Sequence, residues 1–307
     1  MTSTWVVVLS FNDAQSTLRC IRSIRTHLTL PGLRVVVVDN GSTTSRMPSI
    51  EPGFPPVTVL YTGANLGFAG GVNFALRRIR TDEPDYVLLL NNDTLVYEDF
   101  ISPLLDFMDG NPKVAVAGPI ITDQDSGSIQ SAGIWLSGFL LLARNPYFRA
   151  DPAELLGHGW PIRADYVAGS AMLVRVSTFR EIGLLDERFF LYEEEVDFCL
   201  RARETGHEIA VVPINGVRHK GSGTIGRMPL LKQFHIGRSH VLLLRKHQSP
   251  ATAALSVYAY TASEIAVRVG QALLGKGSLR ELVAFARGVA GGVLASSSSS
   301  PTAWPRA

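Results

Sequence analysis

A chain of 307 residues exceeds one typical domain and can bury a sizeable core, as one large domain with an appendage or as two domains. Hydrophobic residues at 46% and charged residues at 18% exclude a disordered composition. Cys20 and Cys199 lie far apart and outside any C-x-x-C spacing, so neither a disulfide framework nor a cysteine zinc site is expected, and a reducing compartment fits.

The formal charge of +2 hides a division along the chain. From Arg218 onward 12 Lys and Arg face two acids, a net +10, whereas residues 1–217 carry 17 Lys and Arg against 25 acids, a net −8. The body is anionic and the tail cationic.

Residues 5–9 form an apolar run with no basic region before it and no small-residue cleavage site after it. It reads as a first strand rather than a signal peptide, which points to the cytoplasm. Residues 34–38 and 86–90 repeat the run, and such lengths suit strands buried on both faces. Between them, residues 14–28 set Leu18, Ile21, Ile24 and Leu28 at helical spacing, and residues 70–79 do so with Val72, Ala75, Leu76 and Ile79. The alternation predicts an α/β fold with a doubly wound sheet, whose ligands bind where loops leave the carboxyl ends of the strands. Gly, Ser and Pro punctuate residues 123–159, which predicts loops and short antiparallel strands suited to holding an acceptor. A strand pattern returns over 165–174, and 196–205 predicts a helix ending at Gly206. Gly221-Ser222-Gly223 marks a loop able to close over a ligand, and three helices follow over 230–246, 251–274 and 278–294. Residues 296–307 are expected to be disordered.

Each early strand ends in small polar residues: Ser10-Phe11-Asn12, Asp39-Asn40-Gly41-Ser42 and Asn91-Asn92-Asp93. Turn and cap chemistry explains any one of these tips, but their common placement on one sheet edge points to a site.

In chain order, the strings VVVLSFN, VVVVDNGS, NLGFAGGVNFAL, DYVLLLNNDT, VAGSAMLVR, FREIGLLDERFFLYEEEVDFCLRARETG and VRHKGSG resemble the family 2 glycosyltransferases of GT-A fold. The rhamnosyltransferase-like branch is the nearest in pattern. The resemblance implies a GT-A nucleotide-binding sheet sandwiched by helices over residues 1–225, with a donor half to about 120 and an acceptor and base half beyond it. A basic amphipathic helical extension occupies 226–295. It implies an inverting transfer of a sugar, rhamnose among the candidates, from a nucleoside-diphosphate sugar to a glycan, lipid-linked or natural-product acceptor, as in cell wall or polysaccharide biosynthesis.

By the same resemblance Asp39 meets the nucleotide base, with Ser10 and Asn12 lining its pocket. A carboxylate suits that place because a pyrimidine presents an N–H. Gly67 and Gly70, opening a helix after Asn65-Leu66, would hold part of the diphosphate on unpaired amides, with Asn73 one turn on as a weaker contact. Asn91-Asn92-Asp93 stands where the family has its D-x-D motif, with Asn91 replacing the first aspartate. Asn92 would touch the donor and Asp93 would bind Mg²⁺ or Mn²⁺, with His219 near the metal or diphosphate. Glu194-Glu195 align with the general-base position, Glu195 foremost, although acids at a helix N-terminus also complement its dipole.

In the tail no uncharged stretch reaches the ~20 residues of a bilayer span. Leu279, Leu282, Val283, Ala286, Val289, Ala290 and Val293 make an apolar stripe, with Arg280 and Arg287 off it. Such a helix lies on an anionic membrane surface, or packs on the catalytic domain or on a second subunit of a homodimer. A binding module of the same fold without catalysis is the rival reading. A nucleotidyltransferase is disfavoured because Ser10-Phe11-Asn12-Asp13 is no Gly- and Arg-rich loop, and the tail lacks the interleaved aromatics of a nucleic-acid binder.

Overall fold

The computed structural model describes residues 2–79, 83–157, 161–221, 226, 228–295, 303 and 304. Ser222 and Gly223 of the expected closing loop, Gly159, and most of the expected disordered terminus lie outside the described residues.

The chain runs β1 (Thr4–Ser10), α1 (Ala14–His27), β2 (Leu33–Asp39), β3 (Val57–Tyr61), α2 (Gly67–Leu76), β4 (Tyr86–Asn91), β5 (Thr94–Val96), α3 (Ile101–Gly110), β6 (Val114–Gly118) and β7 (Ile121–Asp123). There follow β8 (Ile129–Ser131), β9 (Trp135–Ser137), β10 (Leu142–Arg144), α4 (Ala153–Leu156), β11 (Ile162–Arg163), β12 (Ala171–Arg175), α5 (Val176–Ile182) and α6 (Glu194–Glu204). It ends with β13 (Glu208–Val211), β14 (Val217–His219), α7 (Pro229–His247), α8 (Pro250–Leu273) and α9 (Leu279–Leu294).

Eight strands form the main sheet in the order β11-β13-β6-β12-β4-β1-β2-β3. Strands β4, β1, β2 and β3 are mutually parallel, and β12 enters antiparallel between β4 and β6. Successive residues of the central strands face opposite sides. Val7, Val36, Val38, Val87 and Leu89 join one core with α2, α5 and α6, while Val6, Val8, Val35, Val37, Leu88 and Leu90 join the other with α1 and α3. This two-sided burial is why those runs read as continuously apolar.

The register aligns Ser10 with Asp39 and Leu9 with Asn91, so the three polar tips end at one level. A second sheet, β5-β14-β7-β8, stands beyond that edge. Its register places His219 opposite Thr94 and Asp123.

The three tail helices are not a loose appendage. Leu242 and Leu243 of α7 enter the core beneath the sheet. Glycines let α9 meet α7 at backbone contact: a Cβ on Gly288 would lie 2.0 Å from Phe234 O, and one on Gly292 2.6 Å from Arg238 O. Asp197 of α6, fully buried, takes an ion pair from Arg201 (2.9 Å) and two partners from α7, Lys246 (2.6 Å) and His247 (2.8 Å). Burial alone would raise that carboxyl, but the His247 hydrogen bond and the charges of Arg201 and Lys246 hold it well below the usual range. Trp304, in the stretch expected to be disordered, is buried and stacks on Phe179 at 5.7 Å. Among the described residues no helix is long and apolar enough to cross a membrane.

Candidate active site

Above the strand tips lies a cleft of about 480 Å³. Its walls include Phe11 and Asn40 after β1 and β2, Asn91-Asn92-Asp93 after β4, Gln130 of β8, Gly169 and Ser170 before β12, Glu194 and Glu195 of α6, and His219 of β14. The sequence therefore places Asn92, Asp93, Glu194, Glu195, His219 and Gly67 around one cavity.

On one wall Asp93 Oδ1 and His219 Nε2 are 3.0 Å apart, with Asn91 Nδ2 3.3 Å from the same nitrogen. Gln130 Oε1 takes the other ring nitrogen, Nδ1, at 2.6 Å, which fixes the imidazole with Nε2 toward Asp93. Asn92 Nδ2 donates to Thr17 Oγ1 at 3.1 Å and so ties the tip to α1. Among the described residues no cluster of three His, Cys, Asp or Glu stands here. One carboxylate and one imidazole nonetheless fit a hard cation that takes its remaining ligands from diphosphate oxygens and water.

On another wall α6 begins abruptly. Tyr192 (φ 67°) and Glu193 (φ 69°) are consecutive left-handed residues without glycine, each costing about 1–3 kcal/mol. That turn delivers Glu194 and Glu195 to the helix start and into the cleft. Oε2 of each is buried without a hydrogen-bond partner. Burial, with the Glu193 charge nearby, pushes Glu195 up to about 7. Burial and the charge on Glu195 drive Glu194 well above the carboxylate range. Gly169 lies beside Glu195, where a Cβ would stand at ordinary contact distance, 3.7 Å, from the carboxyl carbon.

Five residues expected to contact the donor have partners of their own within the protein or are packed closely in it. Ser10 is fully buried and accepts from Thr17 Oγ1 (2.8 Å), beneath the cleft rather than in its wall. Asn12 Oδ1 accepts from the amides of Thr43 (2.8 Å) and Thr44 (3.0 Å) and ties the loop after β1 to the loop after β2. The Asp39 carboxylate, 2% exposed, closes the same loop by accepting from Ser42 N (2.9 Å) and Met47 N (2.7 Å). Asn73 is a buried clamp, donating to Leu185 O (2.8 Å) and accepting from Leu185 N (3.2 Å). Gly70 is buried in α2, its absent Cβ only 2.9 Å from Leu66 Cβ.

The start of α2 differs from expectation as well. Gly67 N donates to Asn65 Oδ1 (3.0 Å) and Phe68 N to Phe190 O (2.7 Å), so two of the helix's first amides already have protein partners. Gly67 (φ 75°) is needed because a Cβ would fall 2.3 Å from Phe190 O. This close approach joins the start of α2 to the segment that carries the acids.

Gln130 and Asn40 were not singled out from the sequence. Gln130 sits in a three-residue strand within the Gly- and Ser-punctuated stretch, where no periodicity marks it. Asn40 had a signal, being the residue after Asp39 at a strand tip. Its side chain bridges β2 to α2, donating to Gly67 O (2.9 Å) and accepting from Leu66 N (3.1 Å).

The family model for glycosyl transferase family 2 matches residues 5–183, more than half of the chain. The chain belongs to glycosyltransferase family 2. This family 2 chain is similar to the N-acetylglucosaminyl-diphospho-decaprenol L-rhamnosyltransferase of Mycobacterium tuberculosis (strain ATCC 25618 / H37Rv), at 30% identity over 247 residues, covering 73% of this chain and 78% of that protein. Among solved structures it is similar to S. aureus TarS 1-349 in complex with UDP-GlcNAc, with TM-score 0.55, 14% identity, and 94% of this chain and 79% of that chain covered. A second is the mannosyltransferase PcManGT of Pyrobaculum calidifontis in complex with GDP-Man and Mn²⁺, with TM-score 0.52, 14% identity, and 95% and 87% covered. The sheet with its flanking helices is thus the GT-A fold of a family 2 glycosyltransferase, carrying a helical C-terminal extension.

Proposed function

We propose that this glycosyltransferase transfers a sugar, rhamnose foremost, from a nucleoside-diphosphate donor to a hydroxyl of a lipid-linked glycan, with inversion at the anomeric carbon. The observation that carries the reading is the pairing of two features in one cavity: the Asp93–His219 couple and the buried, unpartnered oxygens of Glu194 and Glu195.

Glu195 is assigned as the base. It lines the cleft beside Gly169, it is less buried than Glu194, and its proton affinity suits the transient capture of a hydroxyl proton near neutrality. Glu194, whose carboxyl burial and the charge on Glu195 drive well above the carboxylate range, is the less suited of the two to meet the acceptor ionised. Asp93 and His219 would hold Mg²⁺ or Mn²⁺, which neutralises charge on the departing diphosphate. Asn65, which lines the cleft beside Gly67, is the polar side chain assigned to meet the donor near α2, and Asn40 holds the start of that helix in place. Asp39, whose carboxylate accepts from Ser42 N and Met47 N and so fixes the loop after β2, is retained as the residue that meets the nucleotide base. With a base on one side and the leaving group held on the other, a single displacement needs no covalent sugar intermediate.

A lipid-linked acceptor also fits the tail. Leu255, Tyr258 and Leu273 of α8 and Leu279, Val283 and Val293 of α9 are exposed. These faces, on a chain region of net +10, suit the anionic surface that would present such an acceptor.

The test is a panel of sugar nucleotides incubated with the protein, with and without chelator, reading nucleoside diphosphate release. Turnover of one donor that chelator suppresses and Mn²⁺ restores is expected. Absence of turnover with every donor and a lipid-linked acceptor would sink the reading.

A further inference from the structure

Three successive residues of α7 grip the segment that leads into the acids. Arg238 Nη1 donates to Arg188 O (2.5 Å) and Ser239 Oγ to Leu191 O (2.8 Å). His240 Nδ1 lies 2.9 Å from Glu193 Oε1, and its Nε2 lies 2.9 Å from Leu140 O. A carbonyl and a carboxylate only accept, so both ring nitrogens donate and the imidazole is held as its cation. The ring is 6% exposed and packs on Tyr260 of α8 at 4.3 Å between centroids. Glu193, its partner, is the second of the two left-handed residues and the cap from which α6 starts.

We propose that α7 belongs to the catalytic apparatus: His240, acting through Glu193, is a positioning residue that holds the left-handed Tyr192-Glu193 turn and thereby sets where Glu194 and Glu195 stand in the cleft. This rests on the assignment of Glu195 as base. The arrangement also makes the tail an electrostatic element of the site. The imidazolium masks the Glu193 charge, which otherwise raises Glu195. The other titratable and charged groups facing this cluster are Tyr166 before β12, Tyr192, Cys199 of α6, and Tyr260 and Glu264 of α8, the last paired with Arg268.

Two substitutions move the base in opposite directions. His240→Gln keeps one hydrogen bond but removes the positive charge, leaving Glu193 unmasked, so Glu195 holds its proton more tightly. Glu193→Gln removes the negative charge, so Glu195 releases it more easily. A helix that merely supports the fold would lower activity in both without moving the pH dependence in opposite senses.

The experiment uses the full chain with dTDP-rhamnose, or with whichever sugar nucleotide of the panel is turned over, and reads kcat and KM for the donor from pH 5 to 9. In His240→Gln the acidic limb of kcat is expected to move up by roughly half a pH unit or more, and in Glu193→Gln down by a similar amount, the reach of one nearby charge. kcat should fall about tenfold or more in His240→Gln while donor KM stays within about twofold, the pattern of a misplaced acid–base group. If His240→Gln does not fold, His240→Asn is read in its place, and an upward shift of its limb supports the proposal. Limbs that stay in place in the folded variants overturn it. Glu195→Gln is run in parallel: if it transfers at the unmutated rate the base assignment fails, whereas an inactive Glu195→Gln beside unmoved limbs overturns this inference alone.

Discussion

At the scale of the residue, the proposed assignment of Glu195 as base carries a pH dependence with it. The base must be ionised to accept a proton, so with its carboxyl pushed up to about 7 the rate should rise with pH through neutrality and level off above it. Glu195→Gln keeps the shape and loses the base, and a fall of roughly 10²–10⁴ in kcat with donor affinity nearly unchanged is expected from steady-state kinetics and calorimetry. Loss of donor affinity without loss of kcat would reassign Glu195 to binding. Asp93, His219, Glu194 and Glu195 were legible in the sequence because their motifs sit at element ends, where side chains face the ligand edge. Ser10, Asn12, Asp39 and Asn73 were legible only as polar residues near that edge. For two of them the partners are distant in sequence, Asn12 accepting from Thr43 N some 30 residues on and Asn73 from Leu185 N more than 100 residues on, and nothing in their own strings announces this.

At the scale of the element, the crossing of α7 and α9 depends on missing side chains. Adding a Cβ at Gly288 drives it into Phe234 O, so Gly288→Ala should cost about 1–3 kcal/mol through displaced backbone, more than the helix preference for alanine returns. Gly270 of α8 has nothing within 4 Å of its would-be Cβ, so Gly270→Ala should stabilise by up to about 1 kcal/mol. Thermal unfolding of the two variants checks both signs, and equal shifts would show that the crossing tolerates the methyl. Helices α1, α2, α6, α7, α8 and α9 and strands β1, β2 and β4 followed from apolar periodicity, whereas α3, α5, β3, β6 and β13 were not singled out. The short strands β8, β9 and β10 did not, since three residues are too few to show a period. Nor did the antiparallel insertion of β12, which is a matter of topology that a strand's own residues leave undetermined.

At the scale of the whole molecule, the tail presents two faces with different tasks. Its inner face braces α6 and the sheet core, and its outer face is apolar within a cationic region. If the outer face rests on lipid, the protein should float with vesicles containing about a third anionic lipid and be released as salt screens the charge. Glutamate at Leu255, Tyr258 and Leu273 together should abolish flotation while leaving donor hydrolysis intact. Flotation unaffected by those changes would place the contact elsewhere. The anion-to-cation division was plain in the sequence. The inner grip was hidden, because Lys246 and His247 find Asp197 across some 50 residues with no pattern to announce it.

That grip bears on how such enzymes can be rebuilt. Residue 225 looks like a natural place to cut, yet severing the chain there would strand the Asp197 carboxylate in apolar surroundings with only Arg201 for company, and would open the core where Leu242 and Leu243 had been. A minimal enzyme must therefore retain α7. Grafting a foreign tail to change the acceptor would succeed only if the donor helix restored a lysine and histidine at those two places.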